Sequence, residues 1–367
     1  MSIKRDLKRE GIEVIKGLDT LTVNSISKHI SEKLSKTFPE LRLNTNDIFR
    51  NISRLNMYYA KLPDGISAKY FYKTKTIYFD CKLKKEALSD VAIHECIHYL
   101  QERCDKNGDI LRLGLCDYTN SKLPGTGLNE AAVQLMAAKC MKSDYETVKY
   151  FGIDIPTNTE AYYPLECALV NQMAYVIGEG VLFDSTVNSN DKFKEQYISL
   201  TSEKAFNTIQ KNIDLLVEKQ DELKELYSII QQNDTDVKLT RKCVEQIEKC
   251  KNDVRNLFLN TQKLILTSYF DSVINLAYTP RLIENYRNKL YLFKNLIGQV
   301  DGDSFFNDYY IDKMMQLEKR YDLNNTEIRD LVVVKHNFVS TLFRKIKLLF
   351  GLKSEYVENN WQKNRKD

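Results

Sequence analysis

Two of the four histidines in this chain stand four residues apart with a glutamate between them, in the pattern H-E-x-x-H formed by His94, Glu95 and His98. Residues four apart on an α-helix lie about 40° apart around the axis and about 6 Å apart along it. Both imidazoles can therefore reach one metal ion from the same face, and Glu95 projects beside them. The pattern predicts a helix that carries two metal ligands and a base.

The residues around this pattern predict a strand, a loop and a helix, in that order. Residues 75–80 are rich in β-branched and aromatic side chains, which is typical of a strand, and residues 68–72 are its predicted hairpin partner. The helix is predicted over residues 89–103, with Ser89 or Asp90 as its cap.

A catalytic zinc ion takes three protein ligands and one water, so a third ligand is expected elsewhere in the chain. The two glycines of residues 125–130 predict a turn, and an alanine-rich helix is predicted over residues 129–141. Glu130 opens that helix. As a first-turn carboxylate it also suits the positive end of the helix dipole, which leaves its role open. The alternative third ligands are Asp105, Glu160 and Glu166.

The order of these motifs resembles the gluzincin clan of metallopeptidases, of which thermolysin is the familiar member. H-E-x-x-H at residues 94–98 is followed some thirty residues later by a glycine-rich turn that ends in Leu-Asn-Glu at residues 128–130. The similarity covers roughly residues 75–135, about a sixth of the chain. It implies a zincin-like catalytic domain.

The resemblance also implies a set of site residues. Zinc (Zn2+) would be bound by His94, His98 and Glu130. Members of the clan often carry an aspartate four residues after that glutamate, and it holds the first histidine. This chain has Gln134 at the corresponding position, where its amide oxygen can accept the imidazole N–H of His94.

The activity implied is zinc-dependent hydrolysis of a peptide bond in a peptide or protein substrate. Glu95 would take a proton from a metal-activated water and pass it to the leaving amine. A tyrosine or histidine is expected to stabilise the oxyanion. The candidates are Tyr118, Tyr162, Tyr163 and His336. The competing hypothesis is a non-catalytic zincin-like sensor or scaffold whose helical half binds a partner, but a purely structural site needs no base between its histidines.

The whole chain predicts an α+β protein in two domains. The zincin-like domain with its small β-sheet is predicted over residues 1–188, and an all-helical domain over residues 189–367. Only 13 glycines and 6 prolines interrupt a chain rich in good helix formers. In the second domain two apolar stripes with three- and four-residue steps predict a long antiparallel helical hairpin. The stripes are Phe206, Ile209, Ile213, Leu216, Leu223, Tyr227 and Ile230, broken only at Gln220, and then Ile247, Cys250, Val254, Leu257 and Leu264.

The remaining segments have weaker patterns. The first 60 residues are predicted to form short helices, one capped at Asn24 or Ser25 and one capped near Asn44, and residues 67–80 are the one clear β region. The other predictions are a loop over residues 104–128, helices over residues 144–151 and 162–183, and helices over residues 279–298, 305–321 and 326–349.

Location and partners are constrained by what the sequence lacks. The first residues have no apolar run after their charges, no stretch approaches the ~20 apolar residues of a membrane-spanning helix, and the eight cysteines include no C-x-x-C. These features predict a cytoplasmic protein with reduced thiols, of which Cys96 is expected to lie in the core. No nucleic-acid-binding motif is present, so no nucleic-acid partner is expected.

The C-terminal residues 335–367 are basic, with eight Lys/Arg against three Asp/Glu. A basic amphipathic helix can lie on an anionic membrane surface. The favoured interpretation is that this helix closes the helical bundle instead, with its lysines in solvent. The bundle can also serve as the interface of a homodimer.

Overall fold

The computed structural model describes residues 3–118, 124–159, 162–232 and 237–327, and of residues 237–238 and 321–327 only the backbone. These residues form a mixed α+β structure that is mostly helical, as predicted. The helices are α1 (Ile3–Arg9), α2 (Thr20–Thr37), α3 (Thr45–Ile52), α4 (Leu88–Gln101), α5 (Thr126–Met141), α6 (Pro164–Ile177), α7 (Glu179–Asn188), α8 (Lys192–Leu200), α9 (Glu203–Gln232), α10 (Val237–Val273), α11 (Pro280–Phe293) and α12 (Phe305–Glu327). The strands are β1 (Glu13–Gly17), β2 (Asn56–Lys61), β3 (Ala68–Phe71), β4 (Thr76–Asp80), β5 (Glu102–Cys104), β6 (Ile110–Leu113), β7 (Cys116–Asp117), β8 (Glu146–Tyr150) and β9 (Ile153–Thr157).

The described residues form two compact units. The first is drawn from residues up to 144, residues 162–163 and residues 182–191, and the second from residues 145–159, 164–181 and 192–327. The units are therefore not consecutive stretches of chain. The predicted division after residue 188 stays a prediction about independently folding domains.

The first unit is built on a four-stranded sheet in the order β1-β2-β4-β3. β2 and β4 are parallel, and the outer pairs are antiparallel. The central strand β4 is buried along its whole length. Because successive side chains of a strand point to opposite faces, Tyr78 packs into an apolar cluster with Phe71 and Leu62, whereas Ile77 and Phe79 lie on the other face. The helix α4 packs against β3 and β4.

Several short strands were not predicted from the sequence. Besides β3 and β4, the first unit contains β1 and β2 near the predicted short helices of the first 60 residues. β5 replaces the end of the helix predicted over residues 89–103, which stops at Gln101, and β6 and β7 lie within the predicted loop over residues 104–128. The five residues of β1 are all exposed, so that strand lacks the apolar alternation by which a strand is recognised. β5 to β7 are only two to four residues long and pair through a hairpin with Gly108 at φ +87°.

The helix predicted over residues 144–151 is also wrong, because this segment forms the strand β8, paired antiparallel with β9. The turn between them contains Phe151 and Gly152, both at positive φ. Two successive left-handed residues favour a tight hairpin turn, and a phenylalanine in that position gives no sequence signal for it.

Helix ends differ from the predictions for local reasons. α2 is capped by Asp19, whose side chain accepts from the backbone N–H of Thr22, not by Asn24 or Ser25. α4 begins at Leu88 directly after a 3-10 turn, without a side-chain cap from Ser89 or Asp90. The helix predicted over residues 162–183 is divided at Gly178, whose φ of +126° separates α6 from α7.

The second unit contains the predicted hairpin, formed by α9 and α10. The two helices are antiparallel, since Asn212 near the start of α9 donates to Thr261 near the end of α10, and Cys250 donates to the carbonyl oxygen of Lys219. Near the far end the buried seam passes through Leu226, and the predicted Tyr227 is 44 % exposed. On α10 the buried positions include Cys243, Ile247, Cys250, Val254, Phe258 and Ile265. The predicted Leu257 and Leu264 are only half-buried, because the buried seam passes through the next residue in each case.

Some predictions fall outside the described residues, namely Glu160, His336, most of the helix over residues 326–349 and the basic residues 335–367. Within the described part of the chain, no helix has both the length and the apolar composition needed to cross a bilayer. All eight cysteines are free thiols. The cytoplasmic location, the contact of the last helix with a membrane and the homodimer stay predictions.

Candidate metal centre

The candidate site lies where α4 and α5 of the first unit pack together. α4 presents His94 and His98 one turn apart on one face, and α5 presents Glu130 in its second turn. Small side chains allow the two helices to approach closely, since Ala131 and Ala132 of α5 are both fully buried. The helix pair therefore brings the two histidines and the glutamate to one point.

The three ligand atoms are spaced as a tetrahedral metal site requires. His94 Nε2 and His98 Nε2 are 3.0 Å apart. Glu130 Oε2 lies 3.3 Å from the first and 3.4 Å from the second. Two atoms about 2.0–2.1 Å from a zinc ion at tetrahedral angles lie about 3.3–3.4 Å apart. The group formed by His94, His98 and Glu130 can therefore hold a metal ion.

Electrostatics in the protein without metal show why a cation suits this place. Burial by itself would lower the pKa of His98, but the Glu130 carboxylate outweighs it and the pKa rises to about 9. Burial would raise the pKa of Glu130, yet the charge on His98 and the hydrogen bonds with both histidines hold it well below its usual range. A proton on His98 thus offsets the carboxylate, and a bound cation would take over that role.

Each histidine is held from behind by an amide oxygen. His94 Nδ1 lies 2.8 Å from Gln134 Oε1, and His98 Nδ1 lies 3.3 Å from Gln101 Oε1. A carbonyl oxygen only accepts, so each Nδ1 carries a proton, and in the neutral form of either ring the lone pair is on Nε2, which faces the shared point. The position of Gln134 is the one expected from the sequence.

Glu95 lies beside the two histidines and is held by the edge of the sheet. Its Oε2 accepts a 2.7 Å hydrogen bond from the backbone N–H of Tyr70 in β3. β3 is an edge strand, and an N–H that does not pair with β4 points outward. The hydrogen bond therefore fixes the orientation of the carboxylate through Oε2, and Oε1 takes no part in it.

Of the alternative third ligands, Asp105 and Glu166 are described by the structure and neither belongs to this group. Asp105 accepts from the backbone N–H groups of Asn107 and Asp109 in its own hairpin. Glu166 belongs to the second unit, where it accepts from Gln220. Cys96 is fully buried, as expected for a core thiol, and burial raises its pKa.

The oxyanion candidates differ in their surroundings. The hydroxyl of Tyr162 lies 3.0 Å from Ser67 Oγ. Tyr163 has a left-handed backbone with φ of +51°. The hydroxyl of Tyr118 is raised in pKa to about 12, mainly by burial, with small contributions from neighbours that include Cys116 and Glu130.

Three groups of the site were not identified from the sequence as site residues: the Tyr70 N–H, Gln101 and Asn129. Gln101 follows His98 by three residues, a spacing that places two side chains on one face of a helix, and this signal could have revealed it. The Tyr70 N–H leaves no trace in the sequence, because any residue except proline supplies it.

Comparison of the chain with family models, with curated proteins and with solved structures gives no match. The resemblance to the gluzincin clan therefore rests on two short motifs and their spacing. What the site does must be argued from its geometry.

Proposed function

We propose that this chain is a zinc-dependent hydrolase of peptide bonds, with His94, His98 and Glu130 as the zinc ligands and Glu95 as the general base. The observation that supports this most strongly is the convergence of two Nε2 atoms and one carboxylate oxygen at 3.0–3.4 Å from one another. Glu95 next to them has its carboxylate fixed by a backbone N–H. A site that only stabilised the fold would have no use for that fourth group.

The donor set favours zinc. Two imidazole nitrogens and one carboxylate oxygen are the ligands of many catalytic zinc sites, whereas magnesium and calcium prefer oxygen donors alone. When bound, zinc polarises a carbonyl oxygen and lowers the pKa of water toward ~7. His94, His98 and Glu130 would hold the ion with three ligands, which would leave it open to the reacting molecule.

The chain's own residues would carry the proton through the reaction. Glu95 takes a proton from the attacking water at its free carboxylate oxygen and later gives it to the leaving amine. The hydrogen bond from the Tyr70 N–H to Oε2 keeps the whole carboxylate in place during both transfers. A tyrosine keeps its hydroxyl proton at neutral pH and can donate to the oxyanion, and the described candidates for this role are Tyr118, Tyr162 and Tyr163.

The order of elements supports a zincin-like domain of the gluzincin type. An edge strand, β3, and its partner β4 precede the helix α4 that bears both histidines, and α5 supplies the glutamate. In this interpretation Gln134 replaces the carboxylate that often stands behind the first histidine. An amide polarises His94 less than a carboxylate does, so we expect weaker zinc binding than in a site with an aspartate there.

The experiment combines metal analysis with one isosteric substitution. Purified full-length protein is expected to contain about one zinc per chain and to cleave members of a quenched-fluorescent peptide library. Glu95→Gln is expected to keep the zinc and to lower hydrolysis at least about 100-fold, since an amide cannot accept the proton. The exposed Glu86→Gln, just before α4, is the matched control and should change neither quantity.

The outcomes separate the two hypotheses. No transition metal after zinc reconstitution would refute the metal centre. Full zinc content with no cleavage of any peptide by the wild-type protein would favour the non-catalytic sensor or scaffold. Near wild-type hydrolysis by Glu95→Gln would show that Glu95 is not the base.

A further inference from the structure

His98 is held by a chain of amides rather than by one side chain. Its Nδ1 faces Gln101 Oε1 at the end of α4. Gln101 in turn pairs with Asn129 of α5 through two hydrogen bonds: Gln101 Nε2 donates to Asn129 Oδ1 at 3.2 Å, and Asn129 Nδ2 donates to Gln101 Oε1 at 3.3 Å. Both amide side chains are buried, so no water competes for these bonds.

A backbone group fixes the direction of this chain. The N–H of Leu115 donates to Asn129 Oδ1 at 3.0 Å. Because a backbone N–H can only donate, the oxygen of Asn129 must face Leu115. The same oxygen then accepts from Gln101 Nε2, which leaves Gln101 Oε1 facing the histidine. An oxygen there requires a proton on His98 Nδ1, and the Nε2 lone pair is left for the metal.

We propose that Gln101 and Asn129 are positioning residues of the metal centre. The Leu115 N–H orients the amide of Asn129, Asn129 orients the amide of Gln101, and Gln101 orients the ring of His98 so that its Nε2 faces the metal position. The proposal rests on the zinc site proposed above. Asn129 precedes the ligand Glu130 in α5. One turn of α5 therefore supplies both the third ligand, Glu130, and the residue that helps to orient the second ligand, His98.

The turn between β6 and β7 is shaped to fit the amide pair. Gly114 has a left-handed φ of +56°, and a Cβ added there would lie 2.1 Å from Asn129 Oδ1 and 2.4 Å from Gln101 Nε2. The same glycine's N–H donates to Ser189 Oγ at 2.8 Å, and Ser189 in turn donates to the carbonyl oxygen of Gln101. Only glycine lets the turn come this close while remaining bonded to its neighbours.

The two histidines are consequently held in different ways. The Nδ1 of His94 forms a short hydrogen bond of 2.8 Å with Gln134 Oε1. The contact of His98 with Gln101 is longer, 3.3 Å, and depends on Asn129 to orient the amide. Loss of Asn129 should therefore disturb His98 and spare His94, although the hydrogen bonds of Asn129 are to Gln101 and Leu115 and not to either ring.

The test follows the Nδ1 protons of the histidine rings in full-length, ¹⁵N-labelled protein at neutral pH, with and without zinc. His98 carries a proton on Nδ1 in both states, so the measurement needs neither metal nor activity. Asn129→Ala is expected to speed exchange of that proton with solvent at least about 10-fold and to leave the His94 proton unchanged. Zinc affinity, measured by competition with a chelator, should fall about 10–100-fold.

Three further variants separate positioning from folding. Asn129→Leu keeps the side-chain volume and should act like Asn129→Ala. In the Asn129→Ala background, Gln101→Glu presents an acceptor oxygen to His98 Nδ1 in either orientation of its side chain and should restore slow exchange. Gln172→Ala breaks a buried amide pair with Gln262 in the second unit, and should lower stability by a similar amount without moving either readout.

The proposal is overturned if Asn129→Ala and Asn129→Leu lower the melting temperature while His98 exchange and zinc affinity stay at wild-type values. Failure of the proposed function gives a different pattern. If the protein neither binds zinc nor hydrolyses peptides, the proposed function fails. Exchange of the His98 Nδ1 proton in the metal-free protein would still test whether Gln101 and Asn129 position the ring.

Discussion

Both units of this protein bury polar side chains between helices, but they do so in opposite ways. In the second unit Gln172 donates to Gln262, and Gln262 exchanges two hydrogen bonds with the backbone of Gly298. In the first unit His94 and His98 turn their Nε2 atoms toward each other and toward a carboxylate. The first arrangement supplies acceptors for the amide donors and leaves one acceptor, Gln172 Oε1, without a partner, whereas the second concentrates lone pairs.

The difference shows how a site can be told from a polar core. Matched amides lose little when they are buried, because each donor finds an acceptor. Converging lone pairs repel unless a proton or a cation lies between them, and the raised pKa of His98 is the sign of that need in the metal-free protein. A cluster of this kind lowers the free energy of unfolding, and a bound cation would remove the repulsion that causes this loss.

The largest expected effect tests whether the convergence is a metal site. Glu130→Ala removes one of three ligands, so zinc affinity should fall by more than the roughly 10–100-fold that follows loss of a group behind a ligand. Glu95→Gln should change it far less. Zinc competition with a chelator measures both.

Glu166→Ala is the counterpart in the second unit, since that carboxylate is also buried between helices but has Gln220 as its partner. Its zinc affinity should equal that of the wild-type protein. A weakened zinc site in Glu166→Ala, or an unchanged one in Glu130→Ala, would erase the distinction drawn between the two units.

The sequence predicts the helical parts of the site well, because they depend on local spacing. Residues four apart on one helix share a face whatever surrounds them, so His94 and His98 could be paired from the sequence alone. The structure also brings Glu130 and Gln134 to these histidines, and their roles as ligand and supporting group stay predictions. The α+β class follows from the same local patterns and is confirmed.

What the sequence could not predict depends on contacts between distant segments. The Tyr70 N–H reaches Glu95 only because β3 is the edge strand beside α4. Gln101 and Asn129 meet across two helices, and nothing in either local sequence indicates it. Short, exposed strands such as β1 were missed for a related reason, since pairing with β2 and not apolar alternation defines them.

A smaller effect concerns the buried carboxylate of the second unit. Burial raises the pKa of Glu166 from its ordinary 4.5 to about 7, and the hydrogen bond from Gln220 opposes burial only in part. Below pH 4.5 the carboxyl is protonated in both the folded and unfolded chain. Between pH 4.5 and 7 the unfolded chain ionises first, so the free energy of unfolding should fall as pH rises, by about 3 kcal/mol in total.

Glu166→Gln cannot ionise, so its stability should lack this decline and should exceed that of the wild-type protein above pH 7. Urea unfolding followed by circular dichroism between pH 5 and 8 measures the difference. The exposed Glu222→Gln in α9 is the control and should keep the wild-type pH dependence. Parallel curves for the wild-type protein and Glu166→Gln would mean that Glu166 is already paired well enough to ionise normally.

The smallest effect should be the same in both units, because it involves helix ends and not buried polar groups. Thr279 caps α11 by accepting from the N–H of Leu282, and Asn44 caps α3 by accepting from the N–H groups of Asn46 and Asp47. Thr279→Ala and Asn44→Ala should each lower the free energy of unfolding by about 1 kcal/mol, because an orphan N–H loses its acceptor. Thr279→Ser keeps the hydroxyl and should lose little. Zinc affinity should not change in any of the three variants. Weaker zinc binding by Asn44→Ala would show that the metal centre depends on the general stability of the first unit. The contrast between the two units would then not be specific to the converging lone pairs.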